Sequence, residues 1–183
     1  LFLERYSIVD AEEVIAIAPG GGESVKRKML TKRWPEKSYI ELVQRLHSER
    51  PCRVILVGGT RDKSITNNII QACPNCLDAT DLSFGEMASV LRRCSFFVGN
   101  DSAPLHIASS MGISCVGLFG PTDPNKWAPQ GKNCSVIIKP VECHPCLVDE
   151  MFPRCSHIRC LTSITVDDVL QNLSPLDSFI SSH

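Results

Sequence analysis

Several things are missing from this 183-residue chain. No apolar run approaches the roughly 18 residues that a membrane span needs. Charge of one sign is also missing: 19 Lys and Arg stand against 20 Asp and Glu, for a net charge of −1, and they are mixed along the chain. A nucleic-acid surface shows a basic stripe, so no nucleic-acid partner is expected. Leu1 to Asp10 contains Glu4 and Asp10 and lacks the basic-then-apolar order of a secretory signal. The chain opens on Leu1 rather than Met, as expected of a piece cut from a longer protein. Absent too is the GxGxxG fingerprint of dinucleotide sites.

What is present fits one ordinary domain with a sizeable core. Ten cysteines are many for this length, and they form two populations. Cys52, Cys73, Cys76, Cys94, Cys115 and Cys134 are scattered through apparent strands and helices, whereas Cys143, Cys146, Cys155 and Cys160 cluster. Disulfide scaffolds are usually shorter and poorer in regular structure. The reading is a cytosolic α/β domain with one local cysteine feature.

The stretch from Gly99 to Gly112 organises the rest. It follows the apolar run Ser95–Val98, contains Asp101, Ser102 and His106, leads into a small-residue helix, and is followed by the apolar run Ile113–Phe119. In parallel α/β sheets the turn at the carboxyl end of a strand is where ligands are held. Upstream, Val14–Ala18 reads as a buried parallel strand ended by Pro19-Gly20-Gly21-Gly22, whose backbone can approach a ligand closely. Glu23 to Arg33 is basic, with Lys26, Arg27, Lys28, Lys32 and Arg33. Beyond Trp34-Pro35, Glu36 to Ser48 reads as a helix with Tyr39, Leu42, Val43 and Leu46 on one face.

Arg53–Val57 with Gly58-Gly59 is a second strand and glycine turn. Asp62 after it either caps the helix running to about Ala72 or accepts hydrogen bonds from a ribose. Cys73-Pro74-Asn75-Cys76 has CxxC spacing but reads as a turn. Leu77–Thr80 is a short strand or connection, Phe84–Arg92 a helix and Cys94–Val98 a strand. After Cys115–Phe119 comes the loop Gly120–Pro124, and Trp127 lies in an irregular stretch. Val136–Ile138 is a last strand, and Thr165–Leu173 a final helix with Val166, Val169 and Leu170 inward. This alternation predicts an α/β fold, a Rossmann-like parallel sheet with helices on both faces and its glycine turns at one edge.

Taken together, Ala18-Pro19-Gly20, Lys32-Arg33-Trp34-Pro35, Val57-Gly58-Gly59 with Asp62, and Gly99-Asn100-Asp101-Ser102 through His106 resemble one family. The chain is similar to the C-terminal, nucleotide-sugar-binding domain of family 9 glycosyltransferases, the lipopolysaccharide heptosyltransferases, from about Val14 to Leu170. The resemblance implies the C-terminal half of a GT-B enzyme: an inverting transferase moving heptose from ADP-heptose to the lipopolysaccharide core. Residues 14–173 would be the donor domain, 1–13 a linker or leading segment, and 174–183 a tail. By position, Lys32 and the Gly20, Gly21 and Gly22 amides would hold phosphate, and Asp62 would contact the nucleoside. Asp101, Ser102, Ala103 and His106 would surround the sugar and diphosphate, with the helix after Asp101 pointing its N-terminus at the anion.

Many members have glycine where this chain has Ala103-Pro104, which reduces backbone access. The resemblance also places the acceptor site and the catalytic base in an N-terminal domain. So no catalytic residue is expected here, no cofactor is required, and the chain alone is expected to bind donor without transferring it. The enzyme would be cytoplasmic, at the inner face of the inner membrane, with peripheral membrane association. The cluster Cys143, Cys146, Cys155 and Cys160 belongs to the resemblance, and three states stay open for it: structural zinc, disulfides, or free thiols. Two other readings compete: a GT-B enzyme using a UDP-sugar, and a non-catalytic binding module built on the cysteine cluster.

Overall fold

The computed structural model describes residues 8, 12–24, 27–146, 155 and 157–173. Most of the expected leading segment, the whole tail 174–183, and positions 147–154 and 156 of the cysteine-rich loop lie outside the described residues. Eight strands are described: β1 (Glu13–Ala18), β2 (Glu23–Ser24), β3 (Arg27–Lys28), β4 (Cys52–Val57), β5 (Leu77–Ala79), β6 (Phe96–Asn100), β7 (Ser114–Leu118) and β8 (Cys134–Ile137). The helices are α1 (Glu36–Glu49), α2 (Lys63–Ala72), α3 (Phe84–Leu91), α4 (Ala103–Ser110), α5 (Pro124–Trp127), α6 (Arg159–Thr162) and α7 (Val166–Gln171).

Six strands form one sheet in the order β5-β4-β1-β6-β7-β8, with every pairing parallel. Side chains alternate across a strand, so a strand buried on both faces reads as a continuous apolar run. In β1, Ile15 and Ile17 join Val54, Leu56, Val98 and the inner faces of α1, α2 and α7. Val14, Ala16 and Ala18 face the other way, onto Phe97, Met87, Val90, Leu105 and Ala108 of β6, α3 and α4. Helices therefore cover both faces, as the alternation predicts. Each fully buried Ile, Leu or Val in these layers contributes about 1.5–3 kcal/mol.

The strand order reverses between β1 and β6, the two central strands. Crossovers from β1 run outward through β4 to β5, and those from β6 run the opposite way to β8. Their carboxyl ends therefore diverge into a crevice, where such sheets hold ligands. Several local boundaries differ from the sequence reading. β6 runs on through Gly99 and Asn100, past the expected end at Val98, and helix α4 starts at Ala103, after Asp101 as expected. Trp127 sits in the helical turn α5 instead of an irregular loop, because Asp123 caps Asn125 N–H at 2.9 Å and Pro124 supplies a preset φ.

Candidate nucleotide-binding cleft

The loop leaving β1 is drawn tightly against its neighbours. A Cβ at Gly20 would lie 2.4 Å from Asp62 Oδ1, so no larger residue fits between the two. Gly22 adopts φ +73°, a left-handed conformation that glycine takes without strain. Asp62 is itself fixed from two sides: its Oδ2 accepts Gly59 N–H at 3.1 Å, and Arg33 Nη2 donates to its Oδ1 at 2.9 Å. Asp62 is the N-cap residue of α2, but its side chain does not cap that helix as expected; it closes the preceding turn Thr60–Asp62 through the Gly59 N–H instead.

Across the crevice, Asp101 follows β6 and pairs with Lys32 Nζ at 2.6 Å, both side chains being largely withdrawn from solvent. Two residues that are 69 positions apart in sequence thus meet at one rim, Lys32 from the turn Leu30–Lys32 and Asp101 from the β6 exit. Ser102 is the N-cap residue of α4, but its hydroxyl donates to Asn100 O at 3.2 Å and does not cap the helix. The first-turn N–H groups of α4 therefore keep no side-chain acceptor, the arrangement that favours an anion.

A cavity of about 480 Å³ lies between these features. Its lining includes Gly20 and Gly22 of the glycine loop, Ser102 and Ala103 at the start of α4, the apolar residues Val57, Leu82, Phe84 and Met87, and Asp62. Phe84 opens α3 with its ring 73% exposed, an unusual position for so large an apolar surface.

Of the nine residues expected from sequence, Gly20, Gly22, Asp62, Ser102 and Ala103 line this cavity. Gly21 is buried beside it, beneath the Arg33 stem, and Lys32 and Asp101 form the adjoining ion pair. His106 stands apart, exposed on α4 and off the cavity wall. Three residues escape the sequence reading. Arg33 is one lysine or arginine among many in a basic run. Phe84 looks like an ordinary helix residue. Asn100 had a visible signal, an amide closing a strand otherwise buried on both faces.

None of the ten cysteines is paired in a disulfide. Burial pushes Cys52 up to about 11 and Cys76 and Cys94 up to about 12, so these are neutral, packed side chains. Cys143, Cys146, Cys155 and Cys160 surround a small cavity of about 10 Å³, together with Thr31, Pro121 and His157. Burial raises Cys146 and Cys160 above the ordinary thiol range. Among the described residues, no three His, Cys, Asp or Glu side chains already stand in a metal-binding arrangement. The cluster is nonetheless tied to the β7 exit loop, through Cys146 N–H to Pro121 O at 3.0 Å and a His144 ring nitrogen 3.1 Å from Thr122 O.

The family model for glycosyltransferase family 9 (heptosyltransferase) matches residues 8–155. Lipopolysaccharide heptosyltransferase 3 of Escherichia coli is 31% identical over 111 residues, which are 58% of this chain and 32% of that protein. Lipooligosaccharide heptosyltransferase 2 of Haemophilus influenzae is 25% identical over 181 residues, 96% of this chain and 50% of that protein. The chain thus spans half or less of the length of these curated relatives. Among solved structures, the E. coli ADP-heptose lps heptosyltransferase II superposes with a TM-score of 0.74 at 24% identity, covering 94% of this chain and 48% of that one. The bacterial iron-containing dodecameric glycosyltransferase TibC from enterotoxigenic E. coli H10407 superposes with 0.64 at 19% identity, covering 94% and 47%. At these identities the two structures speak for the fold.

Proposed function

The chain belongs to glycosyltransferase family 9, the heptosyltransferases, and from that premise we propose that residues 14–173 form the donor-binding half of a GT-B heptosyltransferase. The donor is ADP-heptose and the acceptor the lipopolysaccharide core. One observation carries the reading. The cavity at the strand-order reversal is lined both by the glycine loop and the start of α4, which suit an anion, and by apolar residues, which suit a base, the pairing a nucleoside diphosphate demands.

In this reading the diphosphate lies against the glycine loop and the N-terminus of α4, and the base lies along Val57, Leu82, Phe84 and Met87. Asp62 keeps its Arg33 and Gly59 partners and offers its remaining lone pairs to ribose hydroxyls. Negative charge accumulates on the diphosphate as the glycosidic bond breaks. Lys32 then exchanges Asp101 for phosphate, so that it and the α4 amides stabilise the departing group more than the ground state. Asp101, relieved of Lys32, faces the sugar hydroxyls, with Ser102 and Ala103 beside it. His106, one turn along α4, is exposed and off the cavity wall, so it is left out of this donor arrangement. If Lys32 and the α4 dipole stabilise the departing diphosphate in this way, the step needs no catalytic metal.

Removing the acceptor proton requires a carboxylate from the other half of the enzyme, so residues 1–183 bind donor without transferring it. No described helix is long and apolar enough to cross a membrane. The proposed site of action is the cytoplasmic face of the inner membrane, reached by peripheral association. Cys143, Cys146, Cys155 and Cys160 line one small space, and to hold a structural zinc ion they would have to close on it from the arrangement described above. Such an ion would supply a cross-link between the loop after β8 and the start of α6.

Titration calorimetry with ADP, UDP and CDP tests the donor assignment. ADP binding well above the other two supports it, and a preference for UDP indicates a UDP-sugar enzyme of the same architecture. Equal or absent binding of all three, with unfolding on chelation, indicates a module built on the cysteine cluster. Turnover by this chain alone in a transfer assay contradicts its inactivity.

A further inference from the structure

Asn100 closes β6 and has no solvent exposure. An amide buried at that depth is costly unless its donors and acceptor are met. Here they are met by two loops distant in sequence. Nδ2 donates to the carbonyl oxygens of Pro19 at 3.1 Å and Gly20 at 2.9 Å, while Oδ1 accepts Trp34 N–H at 2.9 Å. The first pair belongs to the glycine loop after β1, and Trp34 lies two residues beyond Lys32.

Trp34 transmits that hold because it cannot move. Its ring is buried, Nε1 donates to Ile164 O at 3.0 Å, and it stands edge-on to Tyr39 with centroids 4.9 Å apart. The backbone carbonyl of Asn100 also accepts the Ser102 hydroxyl. A single side chain at the end of the central strand is thus bonded to both loops, without itself lying on the cavity wall.

We propose that Asn100 is a positioning residue: it fixes the separation of the glycine loop and the Lys32 loop, so that amides and ammonium converge on one diphosphate. This deepens the donor-domain reading and rests on it. The chemistry of the position is narrow. Aspartate has the right shape, yet its carboxylate offers no donor to the two carbonyls. Alanine leaves both carbonyls and the Trp34 N–H unpaired. All three bonded groups lie in loops rather than in the sheet ladder, so their loss disorders the site before it disorders the core. A diphosphate must then order these loops on binding, which lowers affinity.

The test compares wild type with Asn100→Ala and Asn100→Asp in two ways. Amide hydrogen exchange of the ligand-free chain is expected to quicken at residues 20–22 and 29–34, with β4 and β7 as protected as before. Affinity for ADP is expected to fall about tenfold or more, the scale of one or two lost hydrogen bonds, while affinity for adenosine, read by ligand-observed NMR, stays within about twofold. Unchanged exchange in both loops overturns the proposal, as does a uniform rise across the sheet with ADP and adenosine weakened in parallel. A wild-type chain that binds no ADP overturns the donor-domain reading instead, and the exchange pattern still decides whether Asn100 ties the two loops together.

Discussion

Arg33 and Asp62 show how much of the site depends on single side chains laid against the backbone. The two pair at 2.9 Å with only 15% and 17% of their side chains exposed, and the Asp62 carboxylate sits where a Gly20 side chain would be. Arg33→Ala takes the guanidinium from that carboxylate and leaves it the Gly59 N–H, so a loss of about 1–3 kcal/mol is expected in urea unfolding, discounted for the water that reaches it. Gly20→Ala is expected to be worse for binding than for stability. The added methyl displaces Asp62 and the loop together, so ADP affinity falls by more than the unfolding midpoint indicates. Equal losses in the two measurements would place Gly20 in the fold rather than the site. None of this pairing is legible in the sequence: spacing leaves Asp62 between capping and ribose binding, and only the fold brings Arg33 to it across 29 positions.

The elements themselves were mostly legible, and the reason is physical. Central strands buried on both faces leave continuous apolar runs, and the amphipathic helix α1 places Tyr39, Leu42, Val43 and Leu46 inward as its periodicity predicts. Boundaries were less legible where polar residues end an element. β6 includes Gly99 and Asn100 because Asn100 meets its bonds inside the protein, something no periodicity reveals. The β2–β3 pairing lies in a basic run with no alternating pattern, and it was missed for that reason. The last helix carries its own signal. Thr165 accepts Asp168 N–H at 3.1 Å, and Asp168 accepts Thr165 N–H and Lys139 Nζ at 2.7 Å each.

Thr165→Ala is accordingly expected to cost about 1 kcal/mol in thermal or urea unfolding, and a change below the error of that measurement would dismiss the cap. Burial alone would raise the Asp168 carboxyl, but Lys139 and Thr165 outweigh it and hold it below the ordinary carboxylate range. Its contribution is therefore complete above the unfolded carboxylate value and lost as pH falls through the lower folded value. Asp168→Asn should flatten the acid limb of stability against pH over that interval.

At the scale of the molecule, the order β5-β4-β1-β6-β7-β8 gathers the exits of β1, β4 and β6 into one crevice, and the motifs recognised in sequence lie on those exits. The cysteine cluster reaches the same region from the far side, with Thr31, next to Lys32, and Pro121 on its cavity. If four thiols hold zinc there, binding must expel the protons that burial keeps on Cys146 and Cys160. Zinc affinity measured against a chromophoric chelator should then rise between pH 6 and pH 8. Affinity independent of pH, or a metal-free protein with all ten thiols titratable, would remove zinc from the account.

The central claim, that the crevice seats a nucleoside diphosphate with Lys32 as its cation, is tested most directly by calorimetric titration of ADP into the wild-type chain and into Lys32→Ala. The account predicts measurable binding by the wild type and a loss of about tenfold or more in the variant, since a charge-assisted hydrogen bond contributes about 1.5–3 kcal/mol and the substitution leaves Asp101 facing the phosphates. ADP affinity that is unchanged in Lys32→Ala would contradict it.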